Sequence, residues 1–478
     1  MSTSRTPRAA LALLASTQLL LITDTAIVNV AVPSIGADLG TGSAGLSWVA
    51  NAYLIAFGGL LLLAGRAADQ LGHRRLFLTG LALLAAASAA GGLAPTAGWL
   101  VAARAAQGAG AALAGAAAFA LLLILFPDGP QRHRALGAFA AMGGLGGVLG
   151  TVLGGVLTDL LGWRSTFWLN VALALVLGVL APRLLDGTTR APAPGFDLPG
   201  AITATAGLGL VAYALVDRGP LAGAAGLALL ALFAFLETRA AHPLVPPAVW
   251  RRPALRLANG LAALAQMALF PMFFLVSLYL QSVLGHTPLT GGLGLLPLSL
   301  VVVATAPQTG RLIARIGLTR TTVLGFTLLF AGLVWLALAL SAGGTFATTV
   351  LAPSLLLGVA LPLVMVTTNV AATAEATPEE TGLASGLVNT SQQFGSVLGL
   401  AVLVAVATAR TGTAATPLAQ TSGFRTALLT GAVFAAVAAL LSARLRLPSP
   451  ELSIPFEQGG TPSASAATPR QDRVGDTR

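Results

Sequence analysis

Asp24 and Arg104 each sit inside a long apolar run of the sequence. A charge at the centre of a bilayer costs on the order of 3 kcal/mol to insert, so such a group faces a cavity or a partner and has a task. The other acidic residues fall in loops, at the ends of apolar runs or in the C-terminal tail. A carboxyl group withdrawn from water holds a proton more readily than one in water. Asp24 is therefore a candidate to take H+ from one side of a membrane and release it to the other. Its alternative is a structural hydrogen bond, to Asn29 or Asn51. Arg104 cannot shed its proton and must find an acceptor in Asp24, Gln107 or a backbone carbonyl, or else reach for the surface near Trp99.

Amides within apolar runs come next, because they should not face lipid. Asn29, Asn51, Gln107, Gln266, Gln281, Asn389 and Gln393 are candidate substrate contacts, with Phe270 and Phe274 to line a lipophilic pocket. Each phenylalanine has packing or lipid as its alternative. Enzyme chemistry lacks its parts. His73, His133, His242 and His286 all lie between apolar runs and no His-Glu-x-x-His occurs. Without lysine there is no Gly-x-x-x-x-Gly-Lys loop, and without cysteine no thiolate site, so neither metal nor cofactor is expected. Energy must come from an ion gradient or from none.

The elements that carry these residues follow from composition. Of 478 residues 56% are hydrophobic and 9% charged, and mean hydropathy is +0.85. No soluble core needs so much apolar surface. A bilayer crossing takes about 20 apolar residues and forbids unpaired backbone, so these runs are helices. They fall at about 9–32, 44–64, 76–94, 99–126, 135–157 and 166–182, then about 198–216 and 220–236. Six more follow at about 257–281, 289–309, 321–341, 347–374, 383–408 and 424–443. The expected fold class is all-α integral membrane with fourteen spans.

Arginine, the only cation used among the 26 Lys and Arg positions, tests that count, because short cytoplasmic loops retain positive charge. With the N-terminus inside, only Arg164, Arg218, Arg410 and Arg425 fall outside, and Arg104 falls within a span. One missed helix would invert every later loop. Both termini are thus expected to be cytoplasmic. The net charge of +10 is explained by these loops and not by nucleic acid, which would need a basic face on a soluble module. The Arg-only, Ala- and Gly-rich usage fits a GC-rich bacterial genome and so a bacterial cytoplasmic membrane.

A repeat is visible between loops. Gly65-Arg66-Ala67-Ala68-Asp69-Gln70-Leu71-Gly72-His73-Arg74-Arg75 follows span two and Gly310-Arg311-Leu312-Ile313-Ala314-Arg315-Ile316-Gly317-Leu318-Thr319-Arg320 follows span ten. Duplicated six-helix bundles are the architecture of transporters that rock one half against the other. The expected organisation is a bundle at 1–185, a linker with two extra spans at 186–250, a second bundle at 251–447, and a disordered cytoplasmic tail at 448–478.

These residues resemble the fourteen-helix drug:proton antiporters of the major facilitator superfamily. The first loop matches that superfamily's Gly-x-x-x-Asp-x-x-Gly-x-Arg-Arg motif. Leu100 to Gly108 matches the antiporters' Leu-x-x-x-Arg-x-x-Gln-Gly, and Asp24 to Pro33 their first-span signature. Trp163-Arg164 with Asn170, Tyr279-Leu280-Gln281 and Gly382 to Asn389 match further. In span five Gly146, Gly150, Gly154 and Gly155 stand as in the antiporter motif, but Thr151 replaces its proline, so no kink is enforced. The glycines, spaced by four, offer a close helix crossing whether or not they set direction. The resemblance implies that Asp69, with Gly65, Gly72, Arg74 and Arg75, locks the cytoplasmic side by meeting the helix start near Gly382, or else simply caps a helix. It implies proton-coupled export of small lipophilic drugs or antibiotics, with a monomer expected. The alternatives are an uptake symporter or facilitator for a metabolite, or a membrane scaffold or sensor.

Overall fold

A computed structural model describes residues 7–126, 129–185, 197–217, 219–240, 243–245, 252–374, 380–412 and 416–445, side chains of 130, 133, 381 and 382 excepted. The expected tail, His242 and the linker stretches 186–196 and 246–250 lie outside these residues, as does the side chain of His133. Fourteen α-helices long and apolar enough to cross a membrane are present among the described residues. The first six are α1 (Pro7–Leu39), α2 (Ser43–Leu71), α3 (His73–Gly92), α4 (Ala97–Leu125), α5 (Gly129–Leu161) and α6 (Arg164–Leu184). Two follow, α7 (Leu198–Asp217) and α8 (Pro220–Arg239). The last six are α9 (Pro253–Leu278), α10 (Pro288–Ile316), α11 (Leu318–Ala339), α12 (Ala352–Thr373), α13 (Thr381–Thr411) and α14 (Pro417–Ser442).

Several helices outrun the apolar core that announces them. α1 passes through Pro33, which lacks the N–H that would bond the Asn29 carbonyl, and ends at Leu39 instead of about 32. Its 33 residues reach ~50 Å at about 1.5 Å each, so its ends stand beyond a ~30 Å hydrocarbon layer. Tyr279–Val283 after α9 and Ala347–Leu351 before α12 are single π-helical turns. Thr96, Thr287 and Thr416 cap α4, α10 and α14 by accepting N–H bonds from Trp99, Thr290 and Ala419.

The repeated loops share one backbone requirement. Gly72 and Gly317, the second glycine of each copy, have φ of 95° and 87°, where any Cβ is strained. A Cβ on Gly65 or Gly310 would touch nothing, so packing makes no demand there.

Within the first six helices α1 packs on α5, α2 and α3 on α4, and α3 on α6. Within the last six α9 packs on α13, α10 and α11 on α12, and α11 on α14. The halves meet along two seams, α2 with α13 and α5 with α10. α7 lies on both α2 and α13, while α8 packs chiefly on α7. Large apolar side chains such as Leu160, Trp168, Val179, Leu221 and Leu440 remain exposed, as a lipid-facing surface requires.

Candidate functional site

The position of Asp24 is set by glycine. A Cβ on Gly150 would stand 2.5 Å from the Ala26 Cβ and 2.9 Å from the Thr23 carbonyl, and one on Gly154 3.0 Å from the Ile27 Cα. Gly146 likewise faces Leu19 and Ile22. Small residues at spacing four thus let α5 lie against the stretch of α1 that holds Asp24, and Thr23 Oγ1 ties the pair by donating to the Gly146 carbonyl at 3.2 Å. Gly155 instead faces α10, where a Cβ would meet Leu289 Cα and the Pro288 carbonyl at 3.0 Å. Thr151 turns its hydroxyl onto its own helix, donating to the Val148 carbonyl.

Asp24 and Arg104 form an ion pair at 2.7 Å with side chains 0% and 1% exposed. The other Asp24 oxygen accepts from Asn170 Nδ2 on α6. Arg104 is held from every side: Nε donates to the Val49 carbonyl at 3.1 Å, one terminal nitrogen donates also to Gln107 Oε1 at 3.0 Å, and the guanidinium lies 4.3 Å over the Tyr53 ring. Gln107 Nε2 continues to Ser88 Oγ at 2.7 Å, and Ser88 to the Leu84 carbonyl. Two charges out of water are tolerated when their remaining valences are met, and this network spans α1, α2, α3, α4 and α6 to meet them. The buried Asn170 Oδ1 has no partner.

Asp24 is therefore bonded to neither Asn29 nor Asn51, and Arg104 does not reach toward Trp99. Asn29 is buried, and Asn51 is fully buried with both amide atoms unpartnered. Gln107, a candidate substrate contact by sequence, is consumed at both ends by this network. Phe274 is fully buried and Phe270 packs partly buried against the first half's core, so neither lines an open space. Gln266 lies beside the Met365 sulfur, Asn389 is exposed and bonds its own helix, and Gln393 packs on Gly58 of α2. Gln281, on the π turn that re-aims it, donates to the Val30 carbonyl of α1 at 3.0 Å. Gln393 lies on the α2–α13 seam, Gln281 reaches α1 and Gln266 faces α12, so these candidates do not converge on one pocket.

In the first repeated loop Asp69 pairs with His73 at 3.0 Å, and Arg66 donates to the Pro243 carbonyl. Arg74 is half-buried and Arg75 exposed at the start of α3. Tyr53, Ser88 and Asn170 were not singled out by sequence as site residues. Asn170 had a signal, an amide inside a span, whereas Tyr53 and Ser88 had none.

The sequence profile described as Major Facilitator Superfamily matches residues 14–400. A cephamycin export protein of Amycolatopsis lactamdurans is 38% identical over 92% of this chain and 93% of its own length. A puromycin resistance protein of Streptomyces alboniger is 37% identical over 84% and 82%. Among solved structures, a bacterial homologue of the lysosomal transporter Spinster, in an inward-facing conformation, aligns with a TM-score of 0.68 at 16% identity, covering 93% of this chain and 98% of that one. The nucleoside transporter NupG aligns at 0.67 and 12%, covering 92% and 99%. With fourteen long apolar helices, two six-helix sets and a matching profile over most of its length, this multi-pass membrane protein belongs to the major facilitator superfamily.

Proposed function

We propose that the chain is a proton-coupled antiporter exporting small lipophilic molecules of antibiotic type across the bacterial cytoplasmic membrane, the bundles 1–185 and 251–447 rocking about a central site with both termini cytoplasmic. The observation that carries this reading is the Asp24–Arg104 pair, fully buried at mid-span and bonded across helices. Relatives named for cephamycin export and puromycin resistance support the substrate class.

The ionised Asp24 accepts from Arg104 and Asn170. When it takes a proton, one oxygen becomes a donor, and Asn170 can turn its amide so that the open Oδ1 accepts the new O–H. Protonated Asp24 no longer needs Arg104, which keeps Gln107, the Val49 carbonyl and the Tyr53 ring. The proton thus loosens α1 from α4 while α6 still holds α1. Substrates are neutral or singly cationic. A dication calls for two carboxylates at depth, and among the described residues Asp24 is the one buried in mid-span, Asp197 and Glu237 lying at helix ends.

Everted vesicles with an imposed proton gradient test the reading. Adding a puromycin-type compound, a lipophilic amine, should dissipate the gradient with the parent chain and not with Asp24→Asn. Substrate movement that leaves the gradient untouched, or that enters cells with protons, would sink it. For orientation, Leu71→Cys and Leu93→Cys place single thiols at opposite ends of the bundle in a cysteine-free chain. An impermeant maleimide on intact cells should label the second and spare the first.

A further inference from the structure

A cavity of about 250 Å³ lies at the end of the fold away from the repeated loops, where α2 and α14 begin and α9 and α13 end. None of the residues singled out by sequence lines it. Leu46 of α2, Leu275 and Leu278 of α9, Val404 of α13 and Phe424 of α14 form walls that are apolar and buried. The cavity thus crosses the α2–α13 seam, with one of these walls from the first half and four from the second. A whole drug-sized ligand takes about 300–1,000 Å³, so this space suits one apolar arm of such a molecule.

The rim is polar, and its polarity is of one kind. Ser282 and Thr408 are exposed, and Ser43 and Thr411 partly so. Each hydroxyl has a single proton, and a neighbour takes it. Ser282 Oγ donates to the Leu278 carbonyl at 2.6 Å, Thr408 Oγ1 to the Val404 carbonyl at 2.8 Å and Thr411 Oγ1 to the Ala419 carbonyl at 3.5 Å. Ser43 Oγ lies 3.4 Å from Thr408 Oγ1, whose proton is already placed, so Ser43 is the donor there. What these hydroxyls offer a ligand is therefore lone pairs. Gln420 is the one lining side chain with N–H groups, and no charged side chain is among the described residues of the lining. A carboxylate or phosphate would meet no cation and few donors here. A primary ammonium would set its three N–H groups on the rim, beside water, and its apolar body between the buried walls.

We propose that this cavity is a second binding site, separate from the Asp24 network, which takes the amine-bearing arm of a lipophilic amine and serves as the last stop before release. Parting of the halves at this end carries Leu46 away from the other four walls and breaks the Ser43–Thr408 contact, so the movement that opens the seam also empties the site. The role in release rests on the export reading; the preference for an amine rests on the rim alone.

Full-length protein in phosphatidylglycerol nanodiscs tests this with a single thiol in the cavity wall, Ala407→Cys, or with Leu46→Cys as a second reporter. A small methanethiosulfonate reagent labels the thiol, and its rate is divided by that of the same chain in denaturant with the same additions. Addition of 4-phenylbutylamine should slow the relative rate in proportion to occupancy, and 4-phenylbutyrate at the same concentrations should not. Thr408→Val, which keeps the shape and deletes one acceptor, should raise the amine concentration for half-protection about fivefold. Protection should persist in Asp24→Asn, so failure of the antiport reading would leave this result standing. Equal protection by amine and carboxylate, or none at either reporter, overturns the proposal. Protection on replacing phosphatidylglycerol by phosphatidylethanolamine with no amine added also overturns it, since the cavity would then belong to lipid. In everted vesicles Thr408→Val should slow export of a puromycin-type amine with protons per substrate unchanged, and export at the parental rate would overturn the role in release.

Discussion

The two six-helix halves share close contacts but not charge. Gly108 of α4 abuts the Tyr53 carbonyl of α2, and Gly358 of α12 abuts the Leu298 carbonyl of α10 in the same way. Gly80 of α3 meets Ala114 of α4 as Gly325 of α11 meets Val364 of α12. Gly150 of α5 meets the Thr23 carbonyl of α1, and Gly399 of α13 the Met267 carbonyl of α9. Counting from these contacts, Ala268 stands where the first half has Asp24, Ser354 where it has Arg104, Leu357 where it has Gln107 and Leu333 where it has Ser88. All four are buried. The second half keeps its ion pair, Arg252–Glu380, at a helix end with side chains 35% and 40% exposed, where such a pair is worth about 0–1 kcal/mol. Glycine contacts alone suffice to build a bundle, so the buried charges of the first half are not needed for the fold. That surplus points to a task beyond packing.

The largest effect should follow from removing the titration itself. Asp24→Asn keeps an acceptor for Arg104 and a partner for Asn170, so membrane abundance should hold while proton-driven export falls to background. Export at the parental rate by this variant would place the proton carrier elsewhere and erase the functional contrast between halves. Next comes stability. Arg104→Leu strips the counter-charge from a buried carboxylate and should cost about 3–5 kcal/mol, read as a lowered unfolding midpoint in detergent. Ser354→Ala, at the matching position, deletes a hydroxyl that bonds its own helix at Val350 and should stay within about 1 kcal/mol. Equal losses would mean that the halves are not counterparts.

Fourteen helices were legible because lipid admits few alternatives to long apolar runs, and the arginine loops fixed their parity. Asp24 and Arg104 were legible as misplaced charges. Their contact was not, since 80 residues and a stack of glycine-spaced helices separate them in sequence. Asp197 and Glu237 stayed hidden for the opposite reason. A carboxylate at the end of a span reads as solvated, and only the fold shows that both are buried. The amides of the second half gave no single pocket because periodicity marks a face without saying which neighbour fills it.

A smaller effect tests whether the shared contacts matter equally. Gly150→Ala and Gly399→Ala each drive a Cβ into a neighbouring backbone and should each cost about 1–3 kcal/mol. Gly147→Ala, which meets open space, should be near neutral. The contrast lies in coupling. Displacing α5 moves the stretch of α1 that bears Asp24, so Gly150→Ala should alter the pH dependence of export, whereas Gly399→Ala should leave it unchanged.

The smallest expected effect concerns the bond that joins the halves. Gln281 on the π turn after α9 donates to the Val30 carbonyl, six residues beyond Asp24 on α1, and also to Ser277 Oγ at 3.1 Å. Because it bridges the bundles, the bond exists only while these two ends are together, and the proposed rocking would break it. Removing a neutral hydrogen bond is worth about 1 kcal/mol, so Gln281→Leu should shift the balance between conformers by roughly fivefold without unfolding either bundle. Paired spin labels on α5 and α10 would read that shift as a change in the fractions of two distances. Protons moved per substrate should remain as in the parent, since the Asp24 network keeps every partner. If Gln281→Leu instead uncouples protons from export, the bridge belongs to the proton path, and the division into a charged half and a neutral half is too sharp.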